Sequence, residues 1–352
     1  MSTWLSFFIN LHHYTGITSN SHAACSDLPK HFLNFTAHAF QTLVSHIFID
    51  YNKEVNQSRY IQKGLLIIMI IELIKAFLFG IVEGITEWLP ISSTGHMILL
   101  DQFVKLDVSK SFYSMFEVVI QVGAIMAVVV IYWNKIWPFH KSKQTGPLAP
   151  TGIWRYVDKD IIIMWIKIVI ACLPAGIIGV AFNDTFEKLF YNPVSVAIAL
   201  IVFGIAFIWI ETVHKNKRAK INSLAELSYY TVILIGFFQL IAAVFPGTSR
   251  SGATIVGALI LGVSRTVAAE FTFFLAIPVM FGASLFKLLK FGFVFSSAEL
   301  LILIVGLITA FVSSIIIIKF LMQYIKKHDF KVFGWYRIIL GLLVLLYFLV
   351  IK

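Results

Sequence analysis

The segment from Gly80 to Met97 reads GIVEGITEWLPISSTGHM, and it places acidic, hydroxyl and imidazole groups in a strongly apolar chain. Glu83 and Glu87 are four residues apart, so a helix would present both carboxylates on one face. Two carboxylates in a low dielectric repel each other, and Mg²⁺ or Ca²⁺ would relieve the repulsion because both ions prefer oxygen ligands. We therefore predict a divalent cation on Glu83 and Glu87; the alternative is that these acids pair with a lysine or cap a buried backbone group.

A cluster of hydroxyl groups and one histidine follows the proline of this segment. Ser92, Ser93 and Thr94 can bind an anion at a helix start, although hydroxyls at a break also satisfy freed backbone groups. His96 can act as a nucleophile or a general acid/base near neutral pH; the alternative is a packed polar residue. We predict that His96 is catalytic.

The segment PGTSRSG, from Pro246 to Gly252, adds the complementary groups. Arg250 has a planar fork of donors that suits phosphate, and Thr248, Ser249 and Ser251 add hydroxyls beside it. A salt bridge from Arg250 to Glu83 or Glu87 is the structural alternative. Carboxylates for a metal, hydroxyls and an arginine for phosphate, and a histidine form a set for phosphoryl transfer. In a membrane, the substrate would carry its own lipid tail.

The composition requires that these groups sit inside a membrane protein. Of the 352 residues, 59% are hydrophobic and 13% are charged, which is typical of a polytopic membrane protein. The net charge of +10 comes from basic residues in short stretches between apolar runs, so we predict no nucleic-acid binding.

The apolar runs predict an all-α polytopic fold with two interrupted segments. Two regions, 69–104 and 228–263, are apolar but broken by PISSTG and PGTSRSG, and we interpret both as re-entrant helical hairpins, because irregular backbone in a membrane must be buried in protein or line a wet cavity. Six further runs are long enough to span a bilayer: about 116–133, 161–181, 193–212, 268–290, 298–324 and 335–351.

The two broken regions also predict an inverted repeat. Aligned without gaps from Gly80 on Gly236, they pair Glu83 with Gln239, Pro90 with Pro246 and Ser92 with Thr248. If there are six spans and two re-entrant hairpins, three loops with basic residues fall on one side: those residues lie at 135–159, 215–220 and 326–331. The positive-inside rule makes that side cytoplasmic. The hairpins then enter from opposite faces, and the site lies where they meet; the repeat halves are about 69–181 and 225–324.

Residues 1–68 differ from the rest of the chain, since they contain six of the ten histidines and no membrane-length apolar run. We interpret 69–352 as one membrane-embedded domain and 1–68 as an atypical extension, with Met69 as the natural start. The alternative is a metal-binding, histidine-rich tract.

The motifs EGITEWLPISSTGHM and PGTSRSG resemble the two signatures of the undecaprenyl-diphosphatase family, the bacitracin-resistance type of membrane phosphatase. The resemblance runs from about Met69 to the C-terminus. It implies hydrolysis of undecaprenyl diphosphate to undecaprenyl phosphate at the outer face of the bacterial cytoplasmic membrane, six spans with two re-entrant hairpins, and a homodimer. By this resemblance, Glu83 and Glu87 match the acidic pair linked to Mg²⁺ or Ca²⁺, and Arg250 matches the phosphate-binding arginine. Ser93 and His96 match the proposed nucleophile or proton-transfer partner, and which of them attacks stays open. The resemblance thus implies a catalytic set of His96, Ser93, Glu87 and Arg250.

Two other functions deserve comparison. The acid-phosphatase-like lipid phosphatases need a histidine a few residues after the arginine and an Arg-Pro pair upstream, but Val256 stands six residues after Arg250 and the sequence contains no Arg-Pro. A transporter or lipid flippase would also have inverted repeats and broken helices, so release of phosphate in detergent is needed to separate it from a phosphatase.

Overall fold

The structure, a computed structural model, describes residues 42, 63–139, 148, 152–215 and 217–351. The chain divides into two compact units, Met1–Ile67 and Ile68–Lys352, and the fold described below is that of the second unit with the helix that leads into it. The predicted extension 1–68, with its six histidines, lies outside the described residues except for Thr42 and 63–68.

All regular elements of the described ranges are helical apart from two isolated bridges, Phe139 with Val157 and Ile221 with Val263. The helices are α1 (Lys63–Thr86), α2 (Ser93–Phe103), α3 (Lys110–Ile131), α4 (Trp133–Ile136), α5 (Lys159–Phe190), α6 (Pro193–Val213), α7 (Tyr229–Val244), α8 (Arg250–Ile260), α9 (Arg265–Phe291), α10 (Ser297–Tyr324) and α11 (Lys331–Leu346). A 3₁₀ turn covers Gly152–Tyr156, and a π turn follows α11 at Tyr347–Ile351.

Seven of these helices are long and apolar enough to cross a membrane: α1, α3, α5 over Lys159–Gly179, α6, α9, α10, and α11 with its extension to Leu349. Together they make the chain a multi-pass membrane protein, as predicted. The sequence predicted six helices of this length, and the structure has one more, α1. This helix has 24 residues, because it begins upstream of the region 69–104 that we interpreted as a hairpin. In contrast, α7 and α8 have 16 and 11 residues, and at about 1.5 Å per residue neither reaches across a hydrocarbon core of about 30 Å.

Glycines bring the helices of the bundle into close contact. Helix α3 packs on α10, α6 packs on α11, and α5 packs on α7. A Cβ atom at one glycine of each pair would lie within 2.7 Å of a carbonyl oxygen of the facing helix: Gly123 with Leu307, Gly204 with Gly334, and Gly236 with Ala171. Small residues at such contacts let two backbones approach closely, which is how helices pack in a membrane.

The helix that carries Glu83 and Glu87 is docked in the same way. Gly80 and Gly84 are one turn apart on α1, and a Cβ at either would meet a carbonyl oxygen of α10, that of Gly306 at 2.7 Å or that of Ala310 at 2.6 Å. The hydroxyl of Ser314 on α10 donates to the carbonyl of Gly84 over 3.2 Å. This contact fixes the rotation of α1 and therefore the direction in which its acidic face points.

The outer surface of the described bundle is strongly apolar. Ile177, Trp209 and Ile308 are each more than half exposed, and many other large apolar side chains are exposed with them. A soluble monomer does not present contiguous apolar surface on this scale, so this surface faces lipid.

Candidate functional site

The first break of the chain lies between α1 and α2 and ends at an unusual helix cap. Pro90 and Ile91 precede Ser92, which has a φ of 74°. The Ser92 side chain accepts a hydrogen bond from the Gly95 N–H at 3.4 Å. Ser92 therefore satisfies a freed backbone group of α2, as the structural alternative for the hydroxyl residues expected.

The second break, between α7 and α8, ends in a matching cap. Ser249 has a φ of 68°, and its side chain accepts from the Gly252 N–H at 3.1 Å. Among the described residues, Ser92 and Ser249 are the two non-glycine residues with positive φ. In both caps the serine accepts a hydrogen bond from the N–H of the glycine three residues later, so Ser92 corresponds to Ser249. The gapless alignment paired Ser92 with Thr248 and is therefore wrong by one residue at the caps.

The Glu87 side chain connects the two breaks. Its Oε2 accepts a hydrogen bond from the Ser93 hydroxyl at 2.7 Å, and its Oε1 accepts one from Nη2 of Arg250 at 3.0 Å. Its main-chain carbonyl also accepts from the Ser251 hydroxyl at 3.2 Å. The structure thus brings together Glu87, Ser93, Arg250 and Ser251, four of the residues predicted for the site.

Arg250 is held by a second element as well. Its Nη1 donates to the carbonyl of Thr272 on α9 at 3.1 Å, so its two terminal nitrogens bridge α9 and the first break. The salt bridge to Glu87, the structural alternative for this arginine, is present. Only about a tenth of either side chain is exposed, 13% for Arg250 and 10% for Glu87, and a charge pair so buried is held strongly by its geometry.

Glu83 lies one turn before Glu87 and is almost completely buried, with 1% exposure. Its Oε1 has no hydrogen-bond partner among the described residues, and its charged neighbours are Glu87, Glu117 and Arg250. A buried carboxylate oxygen without a partner is costly, so this atom fits the oxygen donor that a hard divalent cation requires. Glu117 was not predicted; its signal in the sequence is a carboxylate within the apolar run of α3.

The carboxylates do not form a complete metal cage by themselves. The described part of the chain contains no group of three or more His, Cys, Asp or Glu side chains placed to hold a metal ion. Mg²⁺ is commonly bound through one or two carboxylates together with substrate phosphates and water. Glu83 and Glu87 fit this smaller donor set: Glu83 Oε1 has no partner among the described residues, and each Glu87 oxygen accepts one hydrogen bond, from Arg250 or Ser93, which leaves it a second lone pair.

His96 lies four residues after the Ser92 cap, and both of its ring nitrogens have partners. Nδ1 is 2.7 Å from the carbonyl of Ser92, and Nε2 is 2.7 Å from the hydroxyl of Tyr336 on α11. A carbonyl can only accept, so Nδ1 carries a proton, and in the neutral ring Nε2 accepts from the tyrosine. The rings of His96 and Tyr336 are nearly parallel, at 3°. Tyr336 was missed because nothing in the sequence links α11 to the breaks.

Three further side chains show where ligand groups can be received. Thr248 is 1% exposed and Gln239 is 2% exposed. The hydroxyl of Thr248 lacks a hydrogen-bond partner among the described residues, and the amide of Gln239 has the thiol of Cys172 as a neighbour. Thr94 is half-buried in the first turn of α2. Gln239 was predicted only as the repeat counterpart of Glu83; its buried amide makes it a candidate binding residue in its own right.

Comparison with known proteins agrees with the resemblance of the motifs. The family described as bacitracin resistance protein BacA matches residues 76–343. The undecaprenyl-diphosphatase of Desulfitobacterium hafniense is 62% identical over 279 residues, 79% of this chain and 97% of that protein. Undecaprenyl-diphosphatase 1 of Clostridium acetobutylicum is 61% identical over 281 residues, 80% of this chain and 99% of its own. The undecaprenyl-diphosphatase of Acetivibrio thermocellus is 58% identical over 282 residues, 80% of this chain and 100% of its own.

Both broken segments lie within the matched residues, and the predicted resemblance is confirmed: the chain belongs to the bacitracin resistance protein BacA family.

Proposed function

We propose that this protein is an integral membrane phosphatase that hydrolyses undecaprenyl diphosphate to undecaprenyl phosphate and phosphate. Membership of the family and the names of relatives at 58 to 62% identity support the activity. The reaction recycles the lipid carrier of peptidoglycan synthesis, and it counters bacitracin by removing the diphosphate form of that carrier. The observation that carries the proposal is the hydrogen bond of 2.7 Å from the Ser93 hydroxyl to Glu87, at the point where both breaks meet.

The Ser93–Glu87 contact favours Ser93 as the attacking residue. A hydroxyl becomes a useful nucleophile when an adjacent base takes its proton and a third group orients that base. Glu87 Oε2 is positioned as the base, and Arg250 orients Glu87 through Oε1. The Ser93 oxygen bonds to the terminal phosphorus, its proton passes to Glu87, and the bridging P–O bond breaks to release undecaprenyl phosphate.

A water molecule then completes the reaction. Its oxygen bonds to phosphorus, the phosphoserine P–O bond breaks, and Glu87 returns the proton to Ser93. One proton of the water stays on the released phosphate and the other leaves to solvent. His96 is the second proton-transfer residue of the proposal, and it must exchange the Tyr336 hydroxyl for the substrate to use Nε2.

Phosphate binding is assigned to the residues around the two helix starts. Arg250 supplies charge, and Thr248, whose hydroxyl is buried without a partner, supplies a donor. Ser92, Ser249 and Ser251 already bind backbone or neighbouring groups, so their contribution is to hold the helix starts whose N–H groups face an anion.

The divalent cation is part of the proposal, with Glu83 and Glu87 as its protein ligands. When bound, Mg²⁺ or Ca²⁺ supplies Lewis-acid stabilisation of the charge on the phosphate oxygens. The unsatisfied Glu83 Oε1 supports this assignment.

The membrane arrangement completes the proposal. Both broken segments re-enter the bilayer from opposite faces as an inverted repeat, the site opens to the outer face of the cytoplasmic membrane, and the protein is a homodimer. The matched caps at Ser92 and Ser249 support the repeat, and the short α7 and α8 support re-entry of the second segment. Because α1 is long enough to span the membrane, the entry side of the first segment needs its own test. Leu65 is exposed near the start of α1 and is replaced by cysteine in a cysteine-free background. If α1 enters from the outer face, this cysteine reacts with an impermeant maleimide added outside the cell.

The experiment that tests the function is phosphate release from undecaprenyl diphosphate by the purified protein in detergent, with and without a chelator. Detergent abolishes compartments, so a lipid flippase releases no phosphate whereas a phosphatase does. We expect sharp losses of activity for His96→Ala and Arg250→Ala in protein that remains folded. Near-full activity in both variants would overturn the site assignment.

A further inference from the structure

Arg337, a residue of α11 outside both motifs, lies completely buried beneath the two breaks, with 0% exposure. Its Nη1 donates to the carbonyl of Pro90 at 3.2 Å in the first break. Its Nη2 donates to the carbonyls of Gly247 at 2.9 Å and Thr248 at 2.7 Å in the second. One guanidinium therefore satisfies carbonyls that both breaks expose, one or two residues before the two caps.

The planar fork of arginine suits this role. Groups freed by a break inside a membrane must find partners within the protein, and the fork spreads its donors in fixed directions. Here the two terminal nitrogens serve opposite segments, while Nε points to the carbonyl of Leu200 on α6 at 3.5 Å. A lysine has one nitrogen on a flexible stem, so it cannot hold both breaks in this geometry.

Within the described part of the chain, the charge of Arg337 has no partner of opposite sign, because no carboxylate lies within ion-pair distance of its guanidinium. A charge buried in a membrane protein is costly unless something compensates it. Carbonyl dipoles do part of this, and a diphosphate bound at the breaks above would bring the negative charge that is missing.

One further observation places this charge close to the site. A Cβ atom at Gly252, in the first turn of α8, would lie 2.9 Å from Arg337 Nη1. Through Pro90, the same guanidinium contacts the break two residues before the cap of α2. The cation therefore lies near the starts of both helices that we assign to phosphate binding.

We propose that Arg337 is the positioning residue that joins the two breaks into one site, and that its unpaired charge strengthens binding of the diphosphate. Arg337 is buried under the loops and does not touch the substrate. The role of the charge in binding the diphosphate rests on the proposed function. The joining of the two breaks rests only on the hydrogen bonds of Arg337.

The test compares phosphate release by Arg337→Lys and Arg337→Met with that of wild type. Activity is expressed per folded molecule, using the monodisperse fraction from size-exclusion chromatography. Arg337→Lys keeps the charge and loses the fork, so we expect kcat to fall about 10- to 100-fold, since a misplacement of about 1 Å costs up to about 100-fold, while KM stays near the wild-type value. Arg337→Met loses the charge as well, so KM also rises, by about tenfold. Lys167→Met is the matched control, because Lys167 is another buried cation that donates to a carbonyl, that of Ala225.

The outcomes separate the roles. Unchanged kcat and KM per folded molecule in Arg337→Lys would overturn the positioning role, and an equal rise of KM in both Arg337 variants would overturn the role of the charge. If Arg337→Met does not fold, Arg337→Lys still decides the positioning role. Thermal stabilisation by undecaprenyl diphosphate is measured on the same proteins. A wild-type protein that binds the lipid but releases no phosphate would overturn the proposed function. The difference in lipid binding between wild type and the Arg337 variants would still test the role of Arg337.

Discussion

Replacing Glu87 by glutamine tests the proposed chemistry most directly, because the change keeps the volume of the side chain. Glu87 accepts hydrogen bonds from Ser93 at 2.7 Å and from Arg250 at 3.0 Å. Arginine has only donors, so the amide oxygen of the glutamine must face Arg250, and the amide nitrogen then faces Ser93. The Ser93 oxygen turns from donor to acceptor, and it loses the base that would take its proton.

The size of the effect follows from the loss of this base. General-base assistance contributes about 10²- to 10⁴-fold to a rate, which corresponds to about 2.7 to 5.4 kcal/mol of activation free energy at about 1.36 kcal/mol per decade. We expect kcat of Glu87→Gln to fall by this factor. KM should change little, because the amide oxygen still holds Arg250 in place.

The assay is phosphate release per folded molecule, with Glu211→Gln as the matched control. Glu211 is buried, pairs with Arg265, and accepts from the Phe330 N–H at 3.0 Å, so its replacement disturbs a second pair of an arginine with a buried carboxylate, outside the breaks. We expect this control to lose stability and keep its kcat. A wild-type kcat in Glu87→Gln would refute the assignment of Glu87 as the base for Ser93.

Three further predictions follow from single contacts. Tyr336→Phe should raise kcat/KM about two- to tenfold, the equivalent of a net hydrogen bond of about 0.5 to 1.5 kcal/mol that the substrate no longer has to displace; the same gain in a His96→Ala background would contradict a role through the imidazole. Glu83→Gln should raise the Mg²⁺ concentration for half-maximal activity after chelation at least about tenfold, since even an outer-shell partner is worth that much; an unchanged metal response would remove Glu83 from the metal site. Gly84→Ala should destabilise by about 1 to 3 kcal/mol through overpacking against α10, measured by thermal unfolding; Gly282→Ala, with open space around it, should be neutral or slightly stabilising.

The sequence alone predicted the class of fold and the kinds of chemistry. The long apolar runs require membrane helices whatever their arrangement, and proline and glycine in PISSTG and PGTSRSG require breaks. An acidic pair, hydroxyls, a histidine and an arginine in such breaks limit the chemistry to a few possibilities. These are local properties of residue type and spacing, so they can be recognised without knowing which helices touch.

Only the tertiary structure decided which of these groups meet. Glu87 rather than Glu83 joins the breaks, through a contact with Arg250 that spans 163 positions, and the caps pair Ser92 with Ser249 instead of following the gapless alignment. Arg337 reaches Pro90 across 247 positions, and α11 carries no pattern that predicts this contact. The physical reason is that helix rotation is set by close packing, as at Gly80 and Gly84 against α10, and a rotation error of about 100°, the angle of one residue, sends a side chain to lipid instead of to the site.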